Sequence, residues 1–281
     1  MVLADGRVLG WSEFGDSAGQ AVFGFHGTPS SRLDFAPSDA AARELGLWII
    51  APDRPGHGDS SPAPGRTLLS WADDVAALAD HLGIDRFAVL GFSGGGPYAL
   101  ACAAALGDRV TAVVGASAAG PVDHPGGLAG MSVTDKILTW FSLHAPRAGR
   151  AWMRTLAVGA RLSPRIAVWG EAGELGPGAR EVLARLGPPS TVMAPFHESM
   201  RQGGAATIED FALLSLPWGF DLREIAVPVV LFHGAADRVV PLHQAEHLAT
   251  AIPGAELVLV DDVGHILFHR EVERVLAAIP T

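Results

Sequence analysis

Phe87-Ala88-Val89-Leu90-Gly91-Phe92-Ser93-Gly94-Gly95-Gly96-Pro97 decides how this chain folds. Four apolar residues read as a buried strand. A Gly-x-Ser-x-Gly turn follows, and a helical run then extends to Leu106. A strand that turns this sharply into a helix holds its serine in a strained backbone conformation, with the hydroxyl at the carboxyl end of a sheet. Strand and helix pass so closely that a Cβ at Gly91 or Gly95 would collide. A bare Gly-x-Ser-x-Gly is only a glycine-rich turn. The strand before it and the helix after it make Ser93 a candidate nucleophile.

Outward from this turn, short apolar runs alternate with helical segments. Strands are expected at 8–14, 21–25, 47–51, 87–90, 110–116, 229–232 and 256–260. Helices are expected at 31–45, 70–82, 94–106, 242–251 and 269–278. The middle strands carry Val, Ile, Leu and Phe without polar alternation. That pattern marks strands covered on both faces, as in a parallel sheet between helices. The residues around Asp5-Gly6 suggest an antiparallel hairpin at one edge. The alternation stops between Pro121 and Glu224. There helical periodicity dominates, aromatic and methionine residues are frequent, and Pro and Gly punctuate. The expectation is a core of residues 1–120 and 225–281, with a helical insertion over 121–224 made of four to six short helices.

The chain has 281 residues, a net charge of −10 and 49% hydrophobic residues, ample for a buried core. No basic cluster stands out along the chain, which argues against a nucleic-acid partner. Cys102 is the single cysteine, so no internal disulfide forms, and its apolar helix makes it a packing residue. The first residues lack a charged segment followed by an apolar core, and no apolar run is long enough to span a membrane. A cytoplasmic protein with a small-molecule substrate is expected.

A serine nucleophile needs a base, and the base needs an orienting carboxylate. Eleven histidines compete. His265, in Asp262-Val263-Gly264-His265, follows the last strand and opens on the same sheet edge as Ser93. His26, His57 and His233 also follow strands; His81, His243 and His247 fall on helices. Asp237 follows the penultimate strand and is the candidate acid. Asp123, where the insertion begins, is its rival, while Asp261 and Asp262 lie too near His265 along the chain. The oxyanion formed in acyl transfer needs donors. The backbone N–H of Gly94 and that of Thr28, in His26-Gly27-Thr28-Pro29, are the candidates; Pro29 has no N–H. The loop Asp53-Arg54-Pro55-Gly56-His57-Gly58-Asp59-Ser60 reads as a structural turn. It lacks phosphate-loop spacing, and no His/Cys/Asp cluster has metal-ligand spacing, so neither metal nor cofactor is expected. Phe92, Trp140, Phe141 and Trp218 are candidates for the substrate pocket.

With these residues in place the chain resembles the α/β-hydrolases over nearly its whole length. The resemblance rests on His26-Gly27-Thr28-Pro29, Asp53-Arg54-Pro55-Gly56-His57-Gly58, Gly91-Phe92-Ser93-Gly94-Gly95, Asp237 and Gly264-His265, with Ser, Asp and His in the order that fold uses. It implies an eight-stranded, mostly parallel sheet flanked by helices, with a helical cap inserted after the sixth strand. Epoxide hydrolases and haloalkane dehalogenases of this family use an aspartate nucleophile, and Ser93 departs from them. Tyr98, the single tyrosine, lies outside the insertion, where epoxide hydrolases place theirs. Perhydrolases often carry methionine where Gly94 stands. Proline iminopeptidases carry His-Gly-Gly-Pro-Gly where Thr28 and Ser30 stand here. The resemblance therefore implies a serine hydrolase of esters, lactones or thioesters. The alternatives are a biosynthetic thioesterase, cyclase or C–C bond hydrolase, a peptidase, or a ligand-binding protein with little turnover.

Overall fold

In the computed structural model, which describes residues 1–280, one sheet organises the chain. In chain order its strands are β1 (Trp11–Gly15), β2 (Gln20–Phe25), β3 (Leu47–Pro52), β4 (Phe87–Phe92), β5 (Val110–Ala116), β6 (Val229–Gly234) and β7 (Glu256–Val260). Their spatial order is β1-β3-β2-β4-β5-β6-β7, with β1 antiparallel to β3 and all other neighbours parallel. Seven strands are present among the described residues where eight were expected. The hairpin around Asp5-Gly6 closes through one bridge, Val2 to Val8, and β1 begins only at Trp11. Gly6 and Gly10 interrupt this short segment, and Val2 and Val8 are exposed, so little apolar burial holds a longer ladder there.

The apolar runs are covered on both faces, as their lack of polar alternation requires. Phe23, Phe25, Val89, Val113 and Leu231 point to one face and meet α2 (Leu68–Leu82) and α3 (Gly96–Leu106). Val22, Ile49, Leu90, Val114 and Phe232 point to the other. There they meet α1 (Asp39–Glu44) and the terminal helices. Helix α2 starts at a reciprocal cap between Thr67 and Ser70 and stops at Gly83 in the left-handed region. The expected helix over 31–45 is instead a 3₁₀ segment, Arg32–Ser38, followed by α1. Pro37 has no N–H to give an α-helical ladder.

Between β5 and β6 the chain forms α4 (Val133–His144), α5 (Pro146–Leu162), α6 (Pro164–Glu171), α7 (Ala179–Leu186), α8 (Pro189–Val192), α9 (Ala194–Ser199) and α10 (Ala205–Ser215). These exceed the expected four to six, because Pro164, Pro189 and Pro195 divide longer helical stretches. After β6 come α11 (Leu242–Ala251), β7, α12 (Leu267–Arg270) and α13 (Val272–Leu276), the last two in place of one terminal helix. Helices α5 and α6 expose Arg147, Arg150, Arg154, Arg161 and Arg165, a local basic face that a chain-wide charge count dilutes. Among the described residues no helix is long and apolar enough to cross a membrane.

Candidate active site

The parallel strands end on one edge, and the loops that leave them hold the candidate residues. At the end of β4, Ser93 adopts φ 52°. Left-handed backbone at a non-glycine residue costs about 1–3 kcal/mol. The surrounding contacts enforce it. A Cβ on Gly91 would lie 2.7 Å from the Gly95 carbonyl oxygen, and one on Gly95 would lie 2.0 Å from the Phe25 carbonyl oxygen. Both obstacles are backbone, so neither can move aside. Gly95→Ala is accordingly expected to abolish the folded protein, whereas Gly159→Ala, in open space on α5, leaves stability the same or slightly higher. Soluble yield and thermal unfolding of the two variants check this.

Ser93, His265 and Asp237 are brought together although they lie far apart along the chain. The Ser93 hydroxyl is 2.9 Å from Nε2 of His265, and Nδ1 of His265 is 2.8 Å from Oδ2 of Asp237. A carboxylate facing Nδ1 fixes the proton there, which leaves Nε2 to accept from the serine. All three residues are buried. The other oxygen of Asp237 accepts the backbone N–H groups of Val239 and Val240, each at 2.9 Å. Burial alone would raise the Asp237 carboxyl. The charge and hydrogen bond of His265, then His233 and the Val240 amide, bring it below the usual carboxylate value. For His265, burial disfavours the charged ring, but Asp237 outweighs it, with Asp135 and Asp34 adding. The imidazole is held above its ordinary value.

The rival residues lie elsewhere. Asp123 is exposed in a surface groove beside His124 and Trp218. His26 donates from Nδ1 to the Gly27 carbonyl and accepts the Arg54 N–H at Nε2. His57 bonds Asp210 at 3.1 Å, and His233 donates to the Val240 carbonyl at 2.9 Å.

Thr28 stands over the Ser93 turn: a Cβ on Gly94 would come within 2.6 Å of the Thr28 hydroxyl. The Thr28 N–H donates to no acceptor among the described residues. Its loop is clamped from two sides. Asp34 accepts the Gly27 N–H at 2.9 Å and the Ser30 hydroxyl at 2.5 Å. Burial raises the Asp34 carboxyl to about 6, these two bonds opposing it. Arg54 donates to the carbonyls of His26 and Gly27 and to the Thr28 hydroxyl. The loop that carries Arg54 is thus a structural turn, as expected. Asp53 in turn holds the Arg32 and Asp59 amides.

One partner of this clamp has no counterpart in the sequence reading. Asp210, fully buried on α10, accepts from Arg54, Arg66, Tyr98, His57 and Thr28. It joins the last inserted helix to the loop beside Ser93. Its trace in the sequence is an acidic pair, Glu209-Asp210, set between the largely apolar residues Ala205 to Ile208 and Phe211 to Leu214. Burial opposes its charge, yet the two guanidinium groups hold it well below the usual carboxylate range.

Two cavities adjoin Ser93. The smaller, about 50 Å³, is lined by Gly94, Met131, Asp135, Thr139, Phe211 and Leu214. The larger, about 310 Å³, is lined by Leu183, Leu186, Met193, Phe196, His265 and His269, with Phe92 at its base. Phe92 therefore lies where expected, with its ring 5.5 Å from that of His265. Trp140, Phe141 and Trp218 do not. Helix α4 turns Asp135 and Thr139 to the cavity, which leaves Trp140 on the outer side, 53% exposed and stacked on His144. Phe141 packs against Trp152, and Trp218 joins the main core where the chain returns to the sheet. Met131, Met193, Phe196 and Phe211 take the places assigned to them.

A sequence model of the alpha/beta hydrolase family matches residues 22–278. The chain is similar to pimeloyl-[acyl-carrier protein] methyl ester esterase of Aromatoleum aromaticum, with 33% identity over 79% of this chain and 82% of that protein. It is equally similar, at 33% identity over 78% of this chain and 71% of that one, to the magnesium-chelatase 30 kDa subunit of Rhodobacter capsulatus. Among solved structures, an esterase from Exiguobacterium antarcticum superposes with a TM-score of 0.73 at 23% identity, over 99% of this chain and 96% of that one.

Proposed function

The chain belongs to the alpha/beta hydrolase family, and on that premise we propose that it is a serine hydrolase of ester-type bonds in small, largely apolar molecules. The observation that carries this reading is the relay from Ser93 through His265 to Asp237, at 2.9 and 2.8 Å, opening on two cavities. Relatives of equal identity bear the names of an ester hydrolase and of a chelatase subunit, so identity alone does not select the activity. The relay does. A molecule that only binds needs neither a strained serine nor an imidazole poised against it.

In this reading His265 takes the Ser93 proton as the oxygen attacks the acyl carbon, and Asp237 steadies the imidazolium. The N–H groups of Thr28 and Gly94 receive the oxyanion. A missing donor there costs about 3 kcal/mol of activation free energy. The alcohol leaves with the proton from His265. Water, deprotonated by the same ring, releases the acid from Ser93 without a cofactor. Residues 121–224 act as a cap that roofs the cavities and sets specificity. The lining supports carboxylesters and lactones ahead of peptides, and rates on a panel of ester, lactone, thioester and anilide substrates test this. Faster turnover of anilides than of esters would overturn it.

The pH profile follows from the sign of the His265 shift. The base must be neutral, and the surrounding carboxylates hold its proton. Activity is therefore lost on the acid side at a pH above the ordinary imidazole value near 6.5. Asp135→Asn removes one of those charges and moves the midpoint of kcat/KM to lower pH. An acid limb centred below 6.5 in the unaltered enzyme would contradict the assignment of His265.

A further inference from the structure

We propose that the site selects asymmetric esters: a short acyl half carrying a hydrogen-bond donor beside the carbonyl, held by Asp135, and a longer apolar alcohol half. The inference rests on the reading of Ser93 as nucleophile and deepens it.

Ser93 and Thr28 border both cavities, so a bond attacked at Ser93 has one substituent in each. His265 lines the larger cavity and not the smaller. The leaving oxygen must come within hydrogen-bond reach of the imidazole that protonates it. The alcohol half therefore extends into the larger space, against Leu183, Leu186, Met193 and Phe196. Its volume of about 310 Å³ is typical of a small-molecule site. The acyl half is left in the smaller space, about 50 Å³. A water-sized group needs about 10–15 Å³ of such volume, so only a few non-hydrogen atoms fit.

The polar groups around this smaller space are mostly committed. Gln244 accepts from the Gly120 N–H and donates to the Gly127 carbonyl. Ser215 donates to the Phe211 carbonyl. Asp135 differs. Oδ2 accepts from the Ser132 hydroxyl at 2.7 Å, while Oδ1 accepts no hydrogen bond among the described residues. A carboxylate oxygen left free in a narrow, largely apolar space favours a substrate that supplies the missing donor and disfavours one that does not. A hydroxyl or ammonium on the carbon next to the carbonyl fits the available room. The chemistry balances as ordinary hydrolysis. The Ser93 oxygen bonds the acyl carbon, the alcohol leaves with the proton from His265, and water then gives the acid its oxygen and Ser93 its proton.

The test compares octyl glycolate with octyl propanoate, which differ by a hydroxyl in place of a methyl, and with methyl nonanoate, which reverses the long side. Rates are taken on the alkaline plateau. The unaltered enzyme is expected to prefer the glycolate about tenfold in kcat/KM over the propanoate, and octyl esters over methyl nonanoate. Asp135→Leu is expected to lower the first ratio at least severalfold, toward that set by the intrinsic reactivity of the two esters. If that variant does not fold, Asp135→Asn keeps the shape, removes the charge and lowers the ratio at least severalfold. A ratio near one in the unaltered enzyme, a ratio unchanged in the folded variant, or faster cleavage of methyl nonanoate overturns the proposal. Ser93→Ala serves as the separate control. If it still cleaves these esters, the serine mechanism has failed. If it is inert while the preferences are absent, only the Asp135 inference has failed.

Discussion

Replacing Ser93 by alanine is expected to lower kcat on p-nitrophenyl acetate by about 10⁴-fold or more, with the fold intact. The size of the effect follows from the geometry. Among the described residues the Ser93 oxygen alone bonds Nε2 of His265, at 2.9 Å. The variant still presents the Thr28 and Gly94 amides and both cavities, so weak binding and residual catalysis above water persist. Stability should rise slightly or stay level, because alanine loses one hydroxyl but keeps the left-handed backbone at φ 52°. Circular dichroism and thermal unfolding separate this outcome from loss of fold. A variant that keeps more than about a tenth of the unaltered rate contradicts the role of Ser93.

The second large effect is one of stability and falls on Asp210. Arg54 and Asp210 are both fully buried, and the Arg66 guanidinium reaches the other Asp210 oxygen at 2.6 Å. Asp210→Ala leaves two buried guanidinium groups, the Tyr98 hydroxyl and the His57 ring without their common acceptor. Breaking a buried pair this way costs about 3–5 kcal/mol. That is a large fraction of the 5–15 kcal/mol that holds a typical domain together. Asp210→Asn retains an acceptor without the charge and is expected to lie between the two. Urea unfolding with an unchanged slope measures the difference. A loss below about 1 kcal/mol for alanine would mean that the network is replaceable by water or by rearrangement. Because Thr28 bonds both Arg54 and Asp210, the variant's kcat should fall further than its folded fraction accounts for.

How much of this was legible in the sequence depends on how local each cause is. The parallel strands β2 to β6 were legible because burial on both faces leaves uninterrupted apolar runs. The edge was not: at Val2 and Val8 there is too little burial to write a pattern. Ser93, Asp237 and His265 were legible because each follows a strand, and parallel strands place such loops on one edge. Gly91 and Gly95 were legible as a close approach, and the Phe25 carbonyl at 2.0 Å from a Gly95 Cβ is that approach.

The inserted helices mark the limit. Which face of α4 meets the sheet is set by its neighbours, so Trp140 drew attention through its size while Asp135 and Thr139 reached the cavity. Asp210 pairs with Arg54 across 156 positions, and nothing in either segment announces the other. The acidic pair Glu209-Asp210 inside an otherwise largely apolar helix was the available trace. Its meaning emerges only once Arg54, Arg66 and Tyr98 converge on it.

Whether Ser93 is an activated nucleophile is measured most directly by intact-mass analysis after exposure to a fluorophosphonate. One phosphonyl adduct per chain is expected, located on Ser93, formed in the unaltered protein and in Asp135→Leu, and absent from Ser93→Ala. Labelling should slow sharply when His265 is replaced by alanine. No adduct on the folded protein, or an equal adduct on Ser93→Ala, would contradict the role of Ser93 as nucleophile.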